Sequence, residues 1–556
     1  MIKRDLRESI RKAVGVDLPP ATLQRRVQGG SEADLHLEHP ANPEHGDYSS
    51  NVALTLKGAV AEEIVKHFPK NDYLEKVEVA PPGFINFYLK TKVFTDELEK
   101  ILKEKDHYGS SKIGEGKTVI VDYSSPNIAK PFGIGHLRST IIGQTLYNLY
   151  KTIGYKVIGD NHIGDWGTQF GKLIYAIKTW GDEKAISKDP IKKLNELYVR
   201  FHREAEEDIS LEEEGRRWFK KLEDGDKEAR RIWQKCVDWS SAEFDRIYNL
   251  LGIKIDLALG ESFYEPMLKD VIQEAVDKGV AVESEGALII KFPNDKLPPV
   301  IIRKSDGATT YMTRDLATIK YRREKFRPFR IIYETGVDHT LHFRQLFWAA
   351  ERLGWGNRAD YVHVGHGMMR LKTGRMKTRA GDTILLEEVL NEAVRRAATE
   401  AIGIGAVKYN DLKQHPTTNI VFDWDTVLNL RGDSGPYLQY AYTRARSIIR
   451  KADFDSSEVT SLEYDFSGCV EELDLAKLLS RFPEVVVAAA ESYAPSIVCS
   501  YLFDLAQCFN LFYEKVPVLP TENEVVKVGR LALTAATAQV IKNGLSLLGI
   551  SAPEKM

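Results

Sequence analysis

Cysteine is scarce in this chain: there are four in 556 residues, Cys236, Cys469, Cys499 and Cys508, and no CxxC pair among them. That spacing argues against a disulfide framework and against a four-cysteine zinc site, so no metal ligands are expected from the protein. No apolar run approaches the roughly 20 residues a membrane span needs. The opening "MIKRDLRESIRKAVGV" has charges at helical spacing and no apolar signal core, so a cytoplasmic protein is expected. An excess of charge of one sign is missing too. With 77 Lys and Arg against 80 Asp and Glu the formal net charge is -3, so nothing draws the whole chain to nucleic acid, and any RNA must be held by local basic patches. Short repeats and low-complexity linkers are also absent. What remains is a globular composition, 43% hydrophobic and 28% charged, in a chain too long for one core; about two to four domains are expected.

The pattern along the chain changes twice. Residues 1–110 mix an amphipathic opening helix, the stretch "GDYSSNVALTLKGAVAEEIVKHF", read as turn then helix, and the alternating strand "KVEVAPPGFINFYL", together a small α+β domain. From 111 to 410 strands and periodic helices alternate: "TVIVDYSS", a helix near 135–153, "KVIGDNHIG", and a helix from "DWGTQF". That is a βαβ pattern, hence a Rossmann-like parallel sheet with its ligands beyond the C-terminal strand ends. A charged helical insertion is expected at about 180–255, after which "ALIIKF", "PVIIRK", "RIIYETG" and "YVHVGHG" are expected to complete the sheet. Residues 411–556 read as an all-helical C-terminal domain.

Between the first strand and its helix lies "NIAKPFGIGHLRST". Leu137, Ile141, Ile142, Leu146, Leu149, Tyr150 and Ile153 fall on one face of the following helix, so the helix starts near Gly133 to His136. Unpaired N–H groups and the positive dipole end suit an anion there, and glycines allow close approach. Lys130 and His136 would add donors, and a phosphate is the natural candidate; the alternative is a glycine turn that serves only packing. A second cationic element, "MMRLKTGRMKTRAGD", puts five Lys or Arg between Arg370 and Arg379, either a phosphate-binding loop or a solvated basic one.

"VDYSSPNIAKPFGIGHLRSTIIG" resembles the HIGH motif of class I aminoacyl-tRNA synthetases in its arginyl form, with "GIGH" at the HIGH position and Gly133 where the motif's first His usually stands. "GDYSSNVAL", "PPGFINFYL", "HIGDWGTQFGKL", "YMTRDLATIKYR", "RMKTRAGD", "SGPYLQYAYTRARSIIRKA" and "LSLLGISAPEKM" resemble arginyl-tRNA synthetase segments in family order, over nearly the whole chain. The resemblance implies a ligase that joins L-arginine to tRNA(Arg) through an arginyl-adenylate, with ATP consumed and AMP and pyrophosphate released. It implies Mg2+ bound with ATP, no zinc, a monomer, and no partnership with membrane or DNA.

Residue roles follow from the same resemblance. Gly133, Gly135 and His136 would meet the ATP phosphates. "RMKTR" resembles the KMSKS loop (372–381), with Arg375, Lys377 and Arg379 facing pyrophosphate and Thr378 where the second lysine usually stands; Lys130, just before the HIGH position, would supply that charge. The catalytic set is thus Lys130, His136, Lys377 and Arg379. Gly336, Asp338 and His342 resemble an element near the ATP ribose, and Met369 would also contact ATP. His162 and Asp165, at the end of the second strand, are expected from that position to point into the same crevice, with no role assigned. Asp122, Tyr311 and Asp315 would hold the arginine guanidinium, whose planar fork of donors demands carboxylates, with Asn127 and His339 at the α-amino and carboxylate end. His339 stands where relatives usually carry Gln. No inserted editing module is expected, because buried carboxylates reject neutral or shorter amino acids by themselves.

In "GPYLQYAYTRARSIIRKA", Tyr437 and Tyr440 with Arg444 and Arg446 are candidates for tRNA contact, although Leu438, Tyr442, Ala445 and Ile449 equally describe a core stripe. The resemblance assigns the C-terminal domain to the anticodon and the N-terminal domain to the outer corner of the tRNA. The rival readings are a cysteinyl-type synthetase, which would need zinc ligands, and a non-catalytic tRNA-binding synthetase paralogue.

Overall fold

In the computed structural model, which describes residues 2–15, 36–55, 61–292, 297–371, 385–459, 461–464, 466 and 468–556, the amphipathic opening forms α1 (Ile2–Gly15). Then come β1 (Leu37–Glu38), β2 (Tyr48–Ser50), the short helices α2 (Val52–Thr55) and α3 (Ala61–Lys66), β3 (Leu74–Ala80), β4 (Phe84–Leu89) and α4 (Thr91–Glu104). The strands make one antiparallel sheet in the order β1-β2-β4-β3. Two sequence expectations are corrected here. "GDYSS", expected as a turn, is β2, because Tyr48 to Ser50 pair with Phe87 to Ile85. "KVEVAPPGFINFYL", expected as one strand, folds back as the β3–β4 hairpin, with Gly83 at φ 138°, a conformation open to glycine, and its N–H donating to Ala80 O at 2.8 Å.

The chain divides into two units: residues 1–108, 441–484 and 504–541 make one, and residues 109–440, 485–503 and 542–556 the other. In the first, carboxylates are paired between the N-terminal sheet region and C-terminal helices. Asp47 accepts Leu89 N at 2.8 Å and meets Lys477 Nζ at 2.8 Å, while Tyr48 OH donates to Glu484 at 2.6 Å. Buried charge paired in this way avoids the desolvation cost of an orphaned ion.

The second unit is built on β5 (Thr118–Asp122), α5 (Ile134–Thr152) and β6 (Lys156–Asp160). The helical insertion follows as α6 (Thr168–Trp180), α7 (Glu183–Lys188), α8 (Pro190–Glu207), α9 (Ser210–Glu223) and α10 (Lys227–Leu251). Local chemistry sets the limits of α10: Asp226 accepts the N–H groups of Glu228 and Ala229 at its start, and Gly252 ends it at φ 60°. Then come α11 (Glu261–Tyr264), α12 (Leu268–Asp277), β7 (Ala281–Ser284), β8 (Ala287–Ile290), β9 (Val300–Arg303), α13 (Tyr311–Phe326), β10 (Arg330–Gly336), α14 (Thr340–Arg352), β11 (Tyr361–His366) and β12 (Met369–Leu371). The chain continues with α15 (Leu386–Ala397), α16 (Glu400–Leu412), β13 (Ile420–Phe422), α17 (Trp424–Val427), α18 (Gly435–Lys451), α19 (Val470–Ser480), α20 (Phe482–Glu491), α21 (Ser496–Lys515) and α22 (Glu524–Leu547).

The parallel sheet has the order β11-β10-β5-β6. Here the sequence expectation is corrected again: "ALIIKF" and "PVIIRK" do not enter it but form, with β7, a separate antiparallel sheet in the order β7-β8-β9. Runs of three or four apolar residues do not say which sheet will bury them. One face of the parallel sheet packs on α13 and α14 through a core that includes Ile120, Leu316, Ile331, Tyr333 and Leu346. α5, expected to be amphipathic, is buried nearly all round: besides its apolar stripe it buries Arg138, Ser139, Thr140, Gln144 and Thr145. A helix so enclosed must satisfy each of these polar groups within the protein, and those partners define the crevice described next.

Candidate active site

The loop from β5 to α5 is strained in three places. Ser124, Ser125 and Ala129, none of them glycine, sit at φ 74°, 45° and 62°. Such conformations cost on the order of 1–3 kcal/mol each and persist only when the surroundings over-determine them. They do so here. Ser124 N donates to Ser139 Oγ at 3.0 Å, its hydroxyl bonds Thr140 and Tyr248, Ser125 N donates to Asn161 Oδ1 at 3.0 Å, and Ala129 N donates to Ser240 Oγ at 3.0 Å. Ser240 and Tyr248 belong to α10, and Phe244 beside them packs on Phe132 with ring centroids 5.8 Å apart. The insertion thus forms a wall of this loop, a role that its charged sequence does not announce.

The loop delivers Gly133 to the α5 end. Gly133 N donates to His136 Nδ1 at 3.1 Å. Burial pushes the His136 imidazole below its ordinary pKa, with Lys130 and His366 adding to the effect. A neutral ring that accepts at Nδ1 must carry its proton on Nε2, so the backbone sets the tautomer and leaves Nε2–H as a donor. Lys130 and Gly135 are exposed beside it. The helix end therefore offers free N–H groups, a neutral imidazole donor and an ammonium, a set suited to phosphate.

At the other side of the crevice β5 and β6 run in register with Asp122 opposite Asp160. Two neighbouring buried carboxylates require a cation, and α13 provides it. Arg322 is wholly buried and places Nη2 2.6 Å from Asp122 and 2.9 Å from Asp160. Ser125 Oγ donates to the second Asp122 oxygen at 3.1 Å. Burial raises the pKa of Asp160 while Arg322 opposes it; Arg322 itself, which burial alone would lower, is held well above its usual range by the two aspartates. Tyr311 and Asp315 lie on the same helix, eleven and seven residues before Arg322, a shared face. Tyr311 is 65% exposed at the first turn, and Asp315 accepts His342 Nε2 at 2.6 Å. The structure thus joins residues from two separate motifs, one expected near arginine and one near the ATP ribose.

Other expected residues are placed as follows. Asn127 is exposed and bridges to Gly164 in the loop after β6. Asp165 accepts Ser262 N at 2.8 Å and its hydroxyl at 2.6 Å, which caps α11, and burial raises its pKa. Gly336 ends β10, Asp338 and His339 follow with exposed side chains 3.8 Å apart, and Met369 opens β12 opposite Ile420. Arg375, Lys377 and Arg379, with Thr378, lie outside the described residues. On α18, Leu438, Tyr442, Ala445 and Ile449 are buried as a core stripe, and Tyr440 is 43% exposed. Tyr437 packs on Phe503 with centroids 5.6 Å apart, Arg444 donates to Asn510 Oδ1 at 2.8 Å, and Arg446 is half-buried.

Sequence reasoning missed Glu261. Its N–H donates to Ile163 O at 3.0 Å, and burial pushes its carboxyl up to about 7, against the pull of Arg314 and His162 and with the help of Asp315 and Asp165. A short helix with no motif around it carries no sequence signal for that environment. Among the described residues no group of three or more His, Cys, Asp or Glu is arranged to hold a metal ion, and no helix is long and apolar enough to cross a membrane.

The parallel sheet with its strained loop and glycine-flanked helix end lies within residues 97–400, which match the family described as tRNA synthetases class I (R), catalytic domain, so the catalytic unit is that of a class I aminoacyl-tRNA synthetase. Residues 438–556 match the DALR anticodon binding domain, and residues 1–89 the arginyl tRNA synthetase N terminal domain. Arginine–tRNA ligases from Clostridium botulinum and Clostridium kluyveri are 44% and 43% identical, each aligned over 94% of this chain and 96% of the relative. The structure of arginyl-tRNA synthetase from Plasmodium falciparum has a TM-score of 0.82 at 27% identity, covering 100% of this chain and 99% of that one. The fold is also that of the Thermus thermophilus arginyl-tRNA synthetase, with a TM-score of 0.83 at 24% identity. The chain belongs to the arginyl-tRNA synthetase family.

Proposed function

We propose that this chain charges tRNA(Arg) with L-arginine. The arginine carboxylate attacks the α-phosphorus of ATP and pyrophosphate leaves; the tRNA 2′-hydroxyl then attacks the adenylate carbonyl carbon and AMP leaves. The observation that carries the reading is the meeting, at one sheet edge, of an anion-accepting helix end with a carboxylate set built around α13. His136 Nε2–H and the α5 amides meet the α-phosphate, and Lys130, with Arg375, Lys377 and Arg379, meets the leaving pyrophosphate. Catalysis is positioning and charge stabilisation, with no covalent enzyme intermediate.

Asp315, held by His342, and Tyr311 face the arginine guanidinium, with Glu261 beside them, while Asn127 and His339 serve the amino-acid end. Because Arg322 already matches its charge, Asp122 acts from behind, fixing α13 and with it the height of Asp315. Gly336 and Asp338 lie toward the ribose, and Met369 toward the base. Magnesium would be held by the ATP phosphates and would supply charge neutralisation there, which fits an α5 end whose own donors are cationic or neutral; zinc has no part in this reading. The N-terminal 110 residues and the helices beyond 411, with Tyr437, Tyr440, Arg444 and Arg446, contact the tRNA, and the enzyme works as a cytoplasmic monomer.

The test is charging of unfractionated tRNA with ATP, Mg2+ and labelled amino acids offered singly. Incorporation of arginine alone is expected. Charging with another amino acid would overturn the pocket, and tRNA binding without charging would point to a non-catalytic paralogue.

A further inference from the structure

Gly133 leaves the α5 end with one imidazole, yet a second lies close enough to act on it electrostatically. Glu334 near the end of β10 is fully buried, and His366 at the end of β11 donates Nδ1–H to its Oε1 at 2.9 Å. The other carboxylate oxygen, Oε2, has no hydrogen-bond partner among the described residues. Two contacts seat this pair under α5. Ser139 Oγ donates to Glu334 O at 3.0 Å, and Arg138 Nη1 donates to Gly367 O at 2.7 Å. Arg138 and Ser139 stand two and three residues after His136, and Gly367 follows His366, so both imidazoles belong to one short stretch of the crevice.

Chemistry assigns the ring's remaining nitrogen. A carboxylate can only accept, so Nδ1 carries a proton toward Glu334 and Nε2 is the one polar atom left for another group. The side chain keeps 15% exposure, so an edge of the ring remains accessible. Burial by itself would lower the His366 pKa, but Glu334 outweighs it and holds the ring above its ordinary value; Arg138 opposes and Asp411 assists. His136, by contrast, is neutral. The pair therefore sets on the sheet a ring whose carboxylate partner favours its protonated form, and on the helix a ring whose Nδ1 accepts a hydrogen bond and so is uncharged.

We propose that His366 is a second phosphate-binding imidazole of the adenylation site, held by Glu334 and presenting Nε2–H to the triphosphate of ATP bound at the α5 end. The proposal rests on reading that end as the ATP site. It assigns to β11 a donor that the Gly133 position lacks, and makes the site's electrostatics depend on a buried carboxylate that touches no substrate.

The experiment is arginine-dependent ATP–pyrophosphate exchange in the presence of tRNA, with KM for ATP and for arginine measured separately, on the full chain. His366→Phe is expected to lower kcat/KM for ATP on the order of 10²-fold, the scale of one lost charge-stabilising donor, and to leave KM for arginine within about threefold. Adding Gly133→His to that variant is expected to recover part of the loss. His366→Gln, whose amide reaches toward the Nε2 position, should retain more activity than His366→Asn, whose amide keeps only the Glu334 contact; this comparison serves even if the Phe variant fails to fold. Activity of His366→Phe within twofold of wild type, or Asn outperforming Gln, would overturn the proposal. A wild-type chain without arginine-dependent exchange would overturn the underlying reading, and this proposal with it.

Discussion

The two edges of the crevice handle buried charge in opposite ways. At β5 and β6 two adjacent carboxylates, Asp122 and Asp160, share one guanidinium that cannot lose its proton. At β10 and β11 one carboxylate, Glu334, holds one imidazole. The first arrangement is a permanent brace, and it lies beside the carboxylates proposed to receive a cationic amino acid. The second is a donor that keeps one N–H for a ligand, and it lies under the helix end proposed to receive an anion. The same strand-end geometry would thus serve the two opposite ligands proposed, and the difference comes from which partner each buried carboxylate is given.

The comparison breaks most visibly at Arg322. Arg322→Met leaves two carboxylates buried side by side and is expected to cost about 3–5 kcal/mol in urea unfolding. Glu334→Gln, which leaves only an imidazole free to become neutral, should cost clearly less; equal losses would erase the distinction between brace and donor. On activity, Asp315→Asn is expected to lower kcat/KM for arginine on the order of 10²- to 10³-fold with KM for ATP little changed. His136→Gln should do the converse, lowering the adenylation rate on the order of 10²-fold with arginine binding preserved, as steady-state exchange kinetics would reveal.

Glu261 sharpens the acidic side through pH. Its carboxyl is raised from 4.5 to about 7 in the folded chain, so the native state binds more protons than the unfolded state between those values. The stability this supplies is present at low pH and is lost as pH rises from about 4.5 to about 7. Glu261→Gln should remove that slope and gain about 2–3 kcal/mol at pH 8, read from urea unfolding at pH 5 and pH 8. The smallest effect is expected away from the crevice. Tyr440→Ala should weaken tRNA binding by about 1 kcal/mol, the low end of a base-stacking contact, and leave KM for arginine and ATP unchanged in exchange kinetics.

Local pattern made much of this legible. The apolar run "TVIVDYSS" and the periodic helix after it identify β5 and α5. The motif residues Lys130, His136, Tyr311, Asp315 and His342 stand out because each belongs to a short, unusual string. Pattern failed where a segment's partner was distant. The strand at "ALIIKF" gave no sign that it would join β7 and β9 rather than the parallel sheet, since four apolar residues suit either. α5 read as amphipathic because Arg138, Ser139, Thr140, Gln144 and Thr145 look like a solvated face until their acceptors on other segments are seen. Arg138, for example, gives its guanidinium to Gly367, Pro416 and Thr418 carbonyls and to Asp411.

By itself the sequence determined the order of elements, the family, and the side chains able to meet a phosphate and a guanidinium, because these depend on residue type at short spacing. Tertiary structure alone decided that Asp122 faces an internal arginine, that α10 holds the strained loop, that Glu261 is desolvated, and that His366 comes near His136. Each of those rests on a contact between residues scores of positions apart, and the pKa, tautomer and charge state that follow depend on burial and on a specific neighbour, neither of which a local string of residues encodes.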